Sequence, residues 1–186
     1  MTRLASRPIE TATGATAETF ARIRRAMGAV PNAYVDIGTN SLPALQSLLA
    51  LDASLKQGRL AAQDIEVIKL AVSEANGCDY CVAAHAFLGG RLGLDPAAVD
   101  AARFGTEGGT ARHRALAAFA RDVATSRGPV AAERIDAVRA AGVSDAEIVD
   151  TLWVITAITF TNLFNRVNDT ALDFPAVAAA PRGAAA

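Results

Sequence analysis

The sequence predicts an all-α fold of about seven to nine helices, and three observations lead there. The chain has 186 residues and is 52% hydrophobic but only 5% aromatic, so alanine and leucine, both strong helix formers, carry much of its apolar content. Helix punctuation recurs along it, with Ser, Thr or Asp ahead of a periodic apolar run and Gly behind it. Within the runs, apolar residues return at three- and four-residue spacing, the period of one helix face.

Taken in order, residues 1–15 read as an irregular N-terminal arm broken by Pro8 and Gly14. Residues 18–27 form a short helix ended by Gly28, and 34–38 a further helical turn. Ser41 is an N-cap with Pro43 in the first turn, opening a helix that runs to about 57 and closes at Gly58. Its core face, Leu45, Leu48, Leu49 and Leu55, is interrupted once, by Asp52. Residues 61–75 follow as a helix with Ile65, Ile68, Leu70 and Val72 apolar. Asn76-Gly77 is a stop-and-restart signal, and the next helix runs from 79 to about 90–92. Asp95-Pro96 supplies an N-cap and a proline at the first position for a helix over 96–103.

Gly105, Gly108 and Gly109 make a link to a helix over 110–126, with Leu116, Phe119, Ala120 and Val123 on one side. Pro129 opens another helix to about 140, closed by Gly142. Ser144-Asp145-Ala146-Glu147 matches a capping box and starts the most hydrophobic helix, reaching about 168. That helix is apolar on most sides, which predicts a place at the centre of the fold or in a subunit interface. A single domain over 16–172 results, with its core in 40–170. Residues 173–186, rich in alanine, read as a flexible C-terminal tail. Two loosely similar helical segments, 41–92 and 110–168, suggest degenerate repeats.

Charge excludes some function classes. Eighteen basic and 19 acidic residues leave a net charge of -1, which asks for neither nucleic acid nor an anionic membrane. The N-terminus has no apolar core of a signal peptide, and the longest apolar run, 152–160, is too short to span a bilayer. A cytoplasmic protein is expected, and in that compartment a C-x-x-C pair is redox-active or metal-binding rather than a permanent staple.

The chemistry concentrates in 66–85, EVIKLAVSEANGCDYCVAAH. It holds both cysteines, Cys78 and Cys81, and one of two histidines, His85. If the run from Cys78 is helical, all three share one face, because Cys81 and His85 fall within about 60° of Cys78 around the axis. Both sulfurs would lie at the helix N-terminus, which favours thiolate over thiol. If the chain reverses at Asn76-Gly77, Glu66 and His85 reach similar depth on facing helices and can form a proton relay beside the dithiol. A zinc site is the chemical rival, but structural zinc usually takes two separated ligand pairs. Covalent haem attachment needs His directly after the second Cys, where Val82 stands. A thioredoxin-like module would need a strand ahead of Cys78, and none is convincing. His113, in Ala-Arg-His-Arg, is expected on a solvated helix face. Tyr80, Phe87 and Trp153 are the aromatic candidates for a pocket lining.

Glu66, eleven intervening residues, then Cys78-x-x-Cys81-x-x-x-His85 resembles the signature of the AhpD-like alkyl hydroperoxidases of the carboxymuconolactone decarboxylase superfamily. Ala71-Val72-Ser73 and 77–85 look like that family's core, and 162–169, NLFNRVND, resembles a segment of its peroxidase-related branch. The resemblance implies an AhpD-like helical bundle, a homo-oligomer (trimer or hexamer), and thiol peroxidase or disulfide reductase chemistry with no cofactor, metal or haem. It makes Cys81 the peroxidatic thiolate, Cys78 the resolving thiol, and His85 with Glu66 the relay. The partners implied are a hydroperoxide substrate and a dithiol reductant. Members with established peroxidase activity can carry a His between the cysteines where this chain has Tyr80. Two other readings remain: a cofactor-free enzyme like the decarboxylase branch, which needs no dithiol, and a redox sensor whose dithiol switches assembly.

Overall fold

Residues 2–178, the part described by the computed structural model, fold into one 3₁₀ turn (Ile9–Thr11) and nine α-helices. These are α1 (Gly14–Met27), α2 (Asn32–Asn40), α3 (Leu42–Leu55), α4 (Ala62–Ala75), α5 (Asp79–Arg91), α6 (Pro96–Phe104), α7 (Ala111–Thr125), α8 (Ala132–Ala140) and α9 (Asp145–Asn168). The all-α expectation holds. The caps read from sequence hold too: the side chains of Ser41, Asp95 and Ser144 each accept a backbone N–H in the first turn of α3, α6 and α9, and Thr110, expected inside its helix, caps α7 in the same way. Three boundaries differ. α1 starts at Gly14 rather than 18, α2 is a full helix rather than a turn, and α8 starts at Ala132, three residues past Pro129.

The hub is α4, which packs against α5, α6, α7 and α9. Val67, Ile68, Leu70, Ala71, Val72 and Ser73 on it have no solvent exposure. A helix buried on most sides must be enclosed by others, and each of its buried aliphatic side chains contributes about 1.5–3 kcal/mol by leaving water. Of the two places expected for the C-terminal helix, the centre of the fold or a subunit interface, the first holds for one face only. α9 covers one side of α4 with Val154, Ala157 and Ile158, while Val149, Trp153, Leu163 and Val167 on its outer side stay exposed. By length and composition α9 could cross a bilayer. Its inner face, however, carries Asn162, Asn165 and Asn168, all buried and tied to α4, α5 and α2.

The N-terminal end of α4 is fastened by charge. Asp64, 2% exposed, accepts from Arg112 of α7, and Arg112 also reaches Glu147 of α9. His113 belongs to this cluster rather than to a solvated face: its side chain is largely buried, with Nε2 3.5 Å from Asp64. The sequence window Ala-Arg-His-Arg looks solvated because the carboxylate that receives it lies nearly 50 residues away.

A second core joins α1, α2 and α3 through Phe20, Ile23, Val35, Ile37, Leu45 and Leu48. Gly38, inside α2, makes this approach possible: a Cβ there would stand 2.7 Å from the Phe20 ring and 2.8 Å from Leu45. Gly38→Ala should therefore destabilise the fold by about 1–3 kcal/mol, the usual cost of overpacking, despite the better helix propensity of alanine. A lowered urea midpoint at unchanged slope would show it.

The chain ends lie against the domain where they are described. Arg3 N–H donates to the Asn168 carbonyl. Residues 173–178 of the expected flexible tail follow α9 and return across the helices. Asp173 accepts from the Asn32 N–H, and Arg103 donates to the Ala178 carbonyl. Residues 179–186 of that tail lie outside the described residues.

Candidate active site

The turn between α4 and α5 builds the site. Gly77 adopts φ +63°, the left-handed conformation that glycine enters without a Cβ penalty. Its N–H donates to the Glu74 carbonyl at 3.0 Å, and the Cys78 N–H donates to the Ser73 carbonyl at 2.9 Å. This pair of bonds is the Schellman closure of α4, and it delivers Cys78 directly as the N-cap of α5. The chain thus reverses at Asn76-Gly77, and Glu66 on α4 meets His85 on α5 with Oε2 2.7 Å from Nδ1. An ionised carboxylate only accepts, so Nδ1 carries the proton of this bond. Burial pushes the Glu66 carboxyl up, but the His85 charge and hydrogen bond, with Lys69 one turn away, outweigh it and hold Glu66 below its ordinary value.

Cys81 lies at the third position of α5, buried. Asn165 of α9 donates from Nδ2 to its sulfur at 3.3 Å, and the Thr161 hydroxyl lies 3.9 Å away. The Cys81 thiol is lowered to about 6, first by the hydrogen bond from Cys78, which exceeds the opposing cost of burial, then by the His85 charge and the amides of Asn165 and Asn162. Cys78 is driven the other way, far up, because it gives its proton to Cys81, is buried, and faces the charge of Cys81. The expectation that the helix start favours thiolate at both sulfurs is therefore corrected. Two thiols this close share one ionisation, and the Asn165 amide and the His85 charge favour Cys81 for it. Removing the amide in Asn165→Ala should move the pH midpoint of iodoacetamide alkylation at Cys81 upward from about 6.

Cys81 and His85 line a pocket of about 540 Å³ void volume, mouth included, whose walls are mainly apolar: Met27, Leu48, Leu88, Ile158 and Phe174 among them. The cavity itself takes about 70 Å³ of that. Of the three aromatics expected to line it, only Tyr80 does; Phe87 and Trp153 are 40% and 47% exposed on the surface. The Tyr80 hydroxyl accepts the Ala33 N–H at 3.2 Å, its ring meets Phe174 edge-on, and burial pushes its phenol up. It stays protonated and acts as a wall. Among the described residues, no three His, Cys, Asp or Glu side chains converge as a metal-ligand set.

Several lining residues escape a sequence reading. Tyr34, Asp52 and Lys69 form a polar group in the pocket wall, with Asp52 accepting from the Tyr34 hydroxyl and from Lys69 Nζ at 3.3 Å each. The signal for it was the single interruption of the α3 core face at Asp52. Asn162 and Asn165 had a signal as well, two of three amides spaced three residues apart at the end of the helix that reads as most hydrophobic. Asn162 takes its place by donating to the Ser73 hydroxyl and accepting from Asn76, so it clamps the end of α4 behind the cysteines.

Comparison with known proteins follows the geometry. Residues 43–120 match the carboxymuconolactone decarboxylase family. No curated protein matches the sequence. The chain is similar in structure to the AhpD core of an uncharacterized peroxidase-related protein from Ralstonia eutropha JMP134, with 20% identity, 92% of each chain covered and a TM-score of 0.82. An uncharacterized peroxidase-related protein from Silicibacter sp. TM1040 is similar at 22% identity, 88% of each chain and a TM-score of 0.77. The debrominase Bmp8 is similar at 22% identity over 85% of this chain and 86% of its own, with a TM-score of 0.71. At these identities the likeness establishes the fold.

Proposed function

From its place as an AhpD-like protein of the carboxymuconolactone decarboxylase superfamily, we propose that this chain is a thiol-dependent hydroperoxidase working through a Cys78–Cys81 redox couple. The observation that carries the reading is Cys81 itself, a buried sulfur that accepts from Asn165 and stands with the Glu66-bound His85 in the wall of a mainly apolar pocket, an environment that lowers its thiol.

The Cys81 thiolate attacks the terminal oxygen of an organic hydroperoxide, the O–O bond breaks, and an alcohol leaves after taking a proton. His85, oriented by Glu66, holds that proton within the pocket. Cys81 becomes a sulfenic acid, Cys78 condenses with it, and water leaves as the disulfide forms. A dithiol reductant restores the pair by thiol–disulfide exchange. No metal, haem or other cofactor takes part. Counting free thiols on reduced, metal-free protein before and after one equivalent of cumene hydroperoxide tests this. Both thiols should disappear and return with dithiothreitol; two untouched thiols would overturn the reading.

A second reading is favoured by the Tyr34–Asp52–Lys69 group, which the peroxide chemistry does not use. A cofactor-free enzyme acting on a polar organic substrate would use it, and its activity would survive alkylation of both cysteines.

The protein works in the cytoplasm as a homo-oligomer, a trimer or hexamer, with α9 as the surface of self-association and no nucleic acid or membrane partner. Exposed Val149, Leu152, Trp153, Phe160, Leu163 and Val167 run along that helix, an apolar stripe of the kind that marks an interface. Leu163→Glu should lower the particle mass in light scattering while the helical circular dichroism stays unchanged.

A further inference from the structure

The two sulfurs open to different surroundings. Cys81 lines the apolar pocket with His85, whereas Cys78 lines a second cavity on the other side of the pair, with Asp79, Arg166, Asp169 and Thr170 in its walls. That second cavity is polar and has a void volume of about 830 Å³, open solvent included. Tyr80 and Asn165 line both cavities and form the partition between them. The Asn165 side chain is 4% exposed, and its Oδ1 is buried with no hydrogen-bond partner among the described residues, an acceptor waiting for a donor that the folded chain does not supply.

We propose that the polar cavity beside Cys78 is the binding site of a hydrophilic dithiol reductant, separate from the apolar pocket where Cys81 meets the peroxide. The inference rests on the redox reading of the Cys78–Cys81 pair and adds to it the side from which the pair is reset.

Exchange chemistry agrees with this placement. A thiolate attacking a disulfide expels the sulfur of lower pKa most readily. Cys81 is the better leaving group, being the sulfur lowered to about 6. The attacked sulfur is therefore Cys78, the one that faces the polar cavity.

One thiolate of the reductant bonds to Cys78, the Cys78–Cys81 bond breaks, and its electron pair leaves on Cys81 as thiolate. The reductant's second thiolate then attacks its own sulfur in the mixed disulfide. The electron pair of that bond leaves on Cys78, which takes a proton, and the reductant departs as its disulfide. Two electrons pass to the protein. Of the reductant's two protons, one ends on Cys78 and one in solvent. The buried Asn165 carbonyl is placed to accept a hydrogen bond from a hydroxyl or thiol of the arriving molecule.

The test uses full-length protein oxidised to the disulfide with diamide, which does not depend on peroxide activity. Brief exposure to 2-mercaptoethanol, an acid quench and alkylation of the freed thiol, followed by peptide mass spectrometry, locates the adduct. The adduct should sit on Cys78, with the alkyl label on Cys81; an adduct on Cys81 with Cys78 labelled overturns the inference. A filled cavity gives an independent measure. Leu172 lines the polar cavity and not the apolar pocket. Leu172→Trp should slow reduction of the disulfide by dithiothreitol about tenfold relative to its formation by cumene hydroperoxide, since access governs exchange. An unchanged ratio overturns the inference. If cumene hydroperoxide forms no disulfide while the diamide-oxidised protein still reacts at Cys78, the peroxidase reading fails and the reductant site stands.

Discussion

Cys81→Ser should abolish hydroperoxide turnover, with a loss of at least about 10³-fold, because a serine hydroxyl offers no thiolate near neutral pH and the nucleophile is then absent. Cys78→Ser should behave differently. Cys81 keeps the His85 charge and the Asn165 hydrogen bond, so one equivalent of peroxide still converts it to sulfenic acid, which dimedone traps. No intramolecular disulfide can follow, and multiple turnover stops. The first-equivalent reaction should also be slower near pH 6, since the hydrogen bond from Cys78 is the largest cause of the low Cys81 value. Rapid-mixing peroxide consumption with mass spectrometry of the dimedone adduct separates the two variants. A Cys81→Ser protein that retained turnover would sink the assignment of the nucleophile.

The relay gives the next largest effect. Glu66→Gln keeps the shape of the side chain but removes the charge 2.7 Å from His85 Nδ1. General acid–base groups contribute on the order of 10²–10⁴-fold, and a loss of about 10²-fold in the peroxide reaction is expected. Its pH dependence carries the sign. The wild-type rate should rise as pH climbs through about 6, where Cys81 ionises, and level off above it. Below that midpoint it falls about tenfold per unit as the thiolate is protonated. In Glu66→Gln the carboxylate that fixes His85 Nδ1 is gone, so the loss of rate should persist above that midpoint. A variant with wild-type rate would show that the carboxylate only fastens α4 to α5.

Much of the fold was legible because it is written locally. Ser41, Asp95 and Ser144 cap their helices from within four residues of the N–H groups they serve. Gly77 ends α4 by its own backbone conformation. Where local signals were misread, a distant partner was responsible. α2 is a complete helix because Gly38 lets Phe20 and Leu45 close on it, and His113 is drawn inward by Asp64.

The candidate site divides the same way. The spacing of Glu66, Cys78, Cys81 and His85 is a property of two short helices and the turn between them, so their convergence could be read from periodicity alone. The amide that reaches Cys81 could not, because Asn165 lies on a helix some 80 residues further on. The pocket is likewise assembled from α1 to α5, from α9 and from Phe174 beyond it. Local sequence thus determined the helices and the four reactive groups, through propensity, capping and the helical repeat. Only the tertiary structure decided that α4 is the buried hub, that Asn165 reaches Cys81, and that the two sulfurs line separate cavities. Burial, charge and shared hydrogen bonds depend on neighbours that are distant in the chain and adjacent only once it has folded.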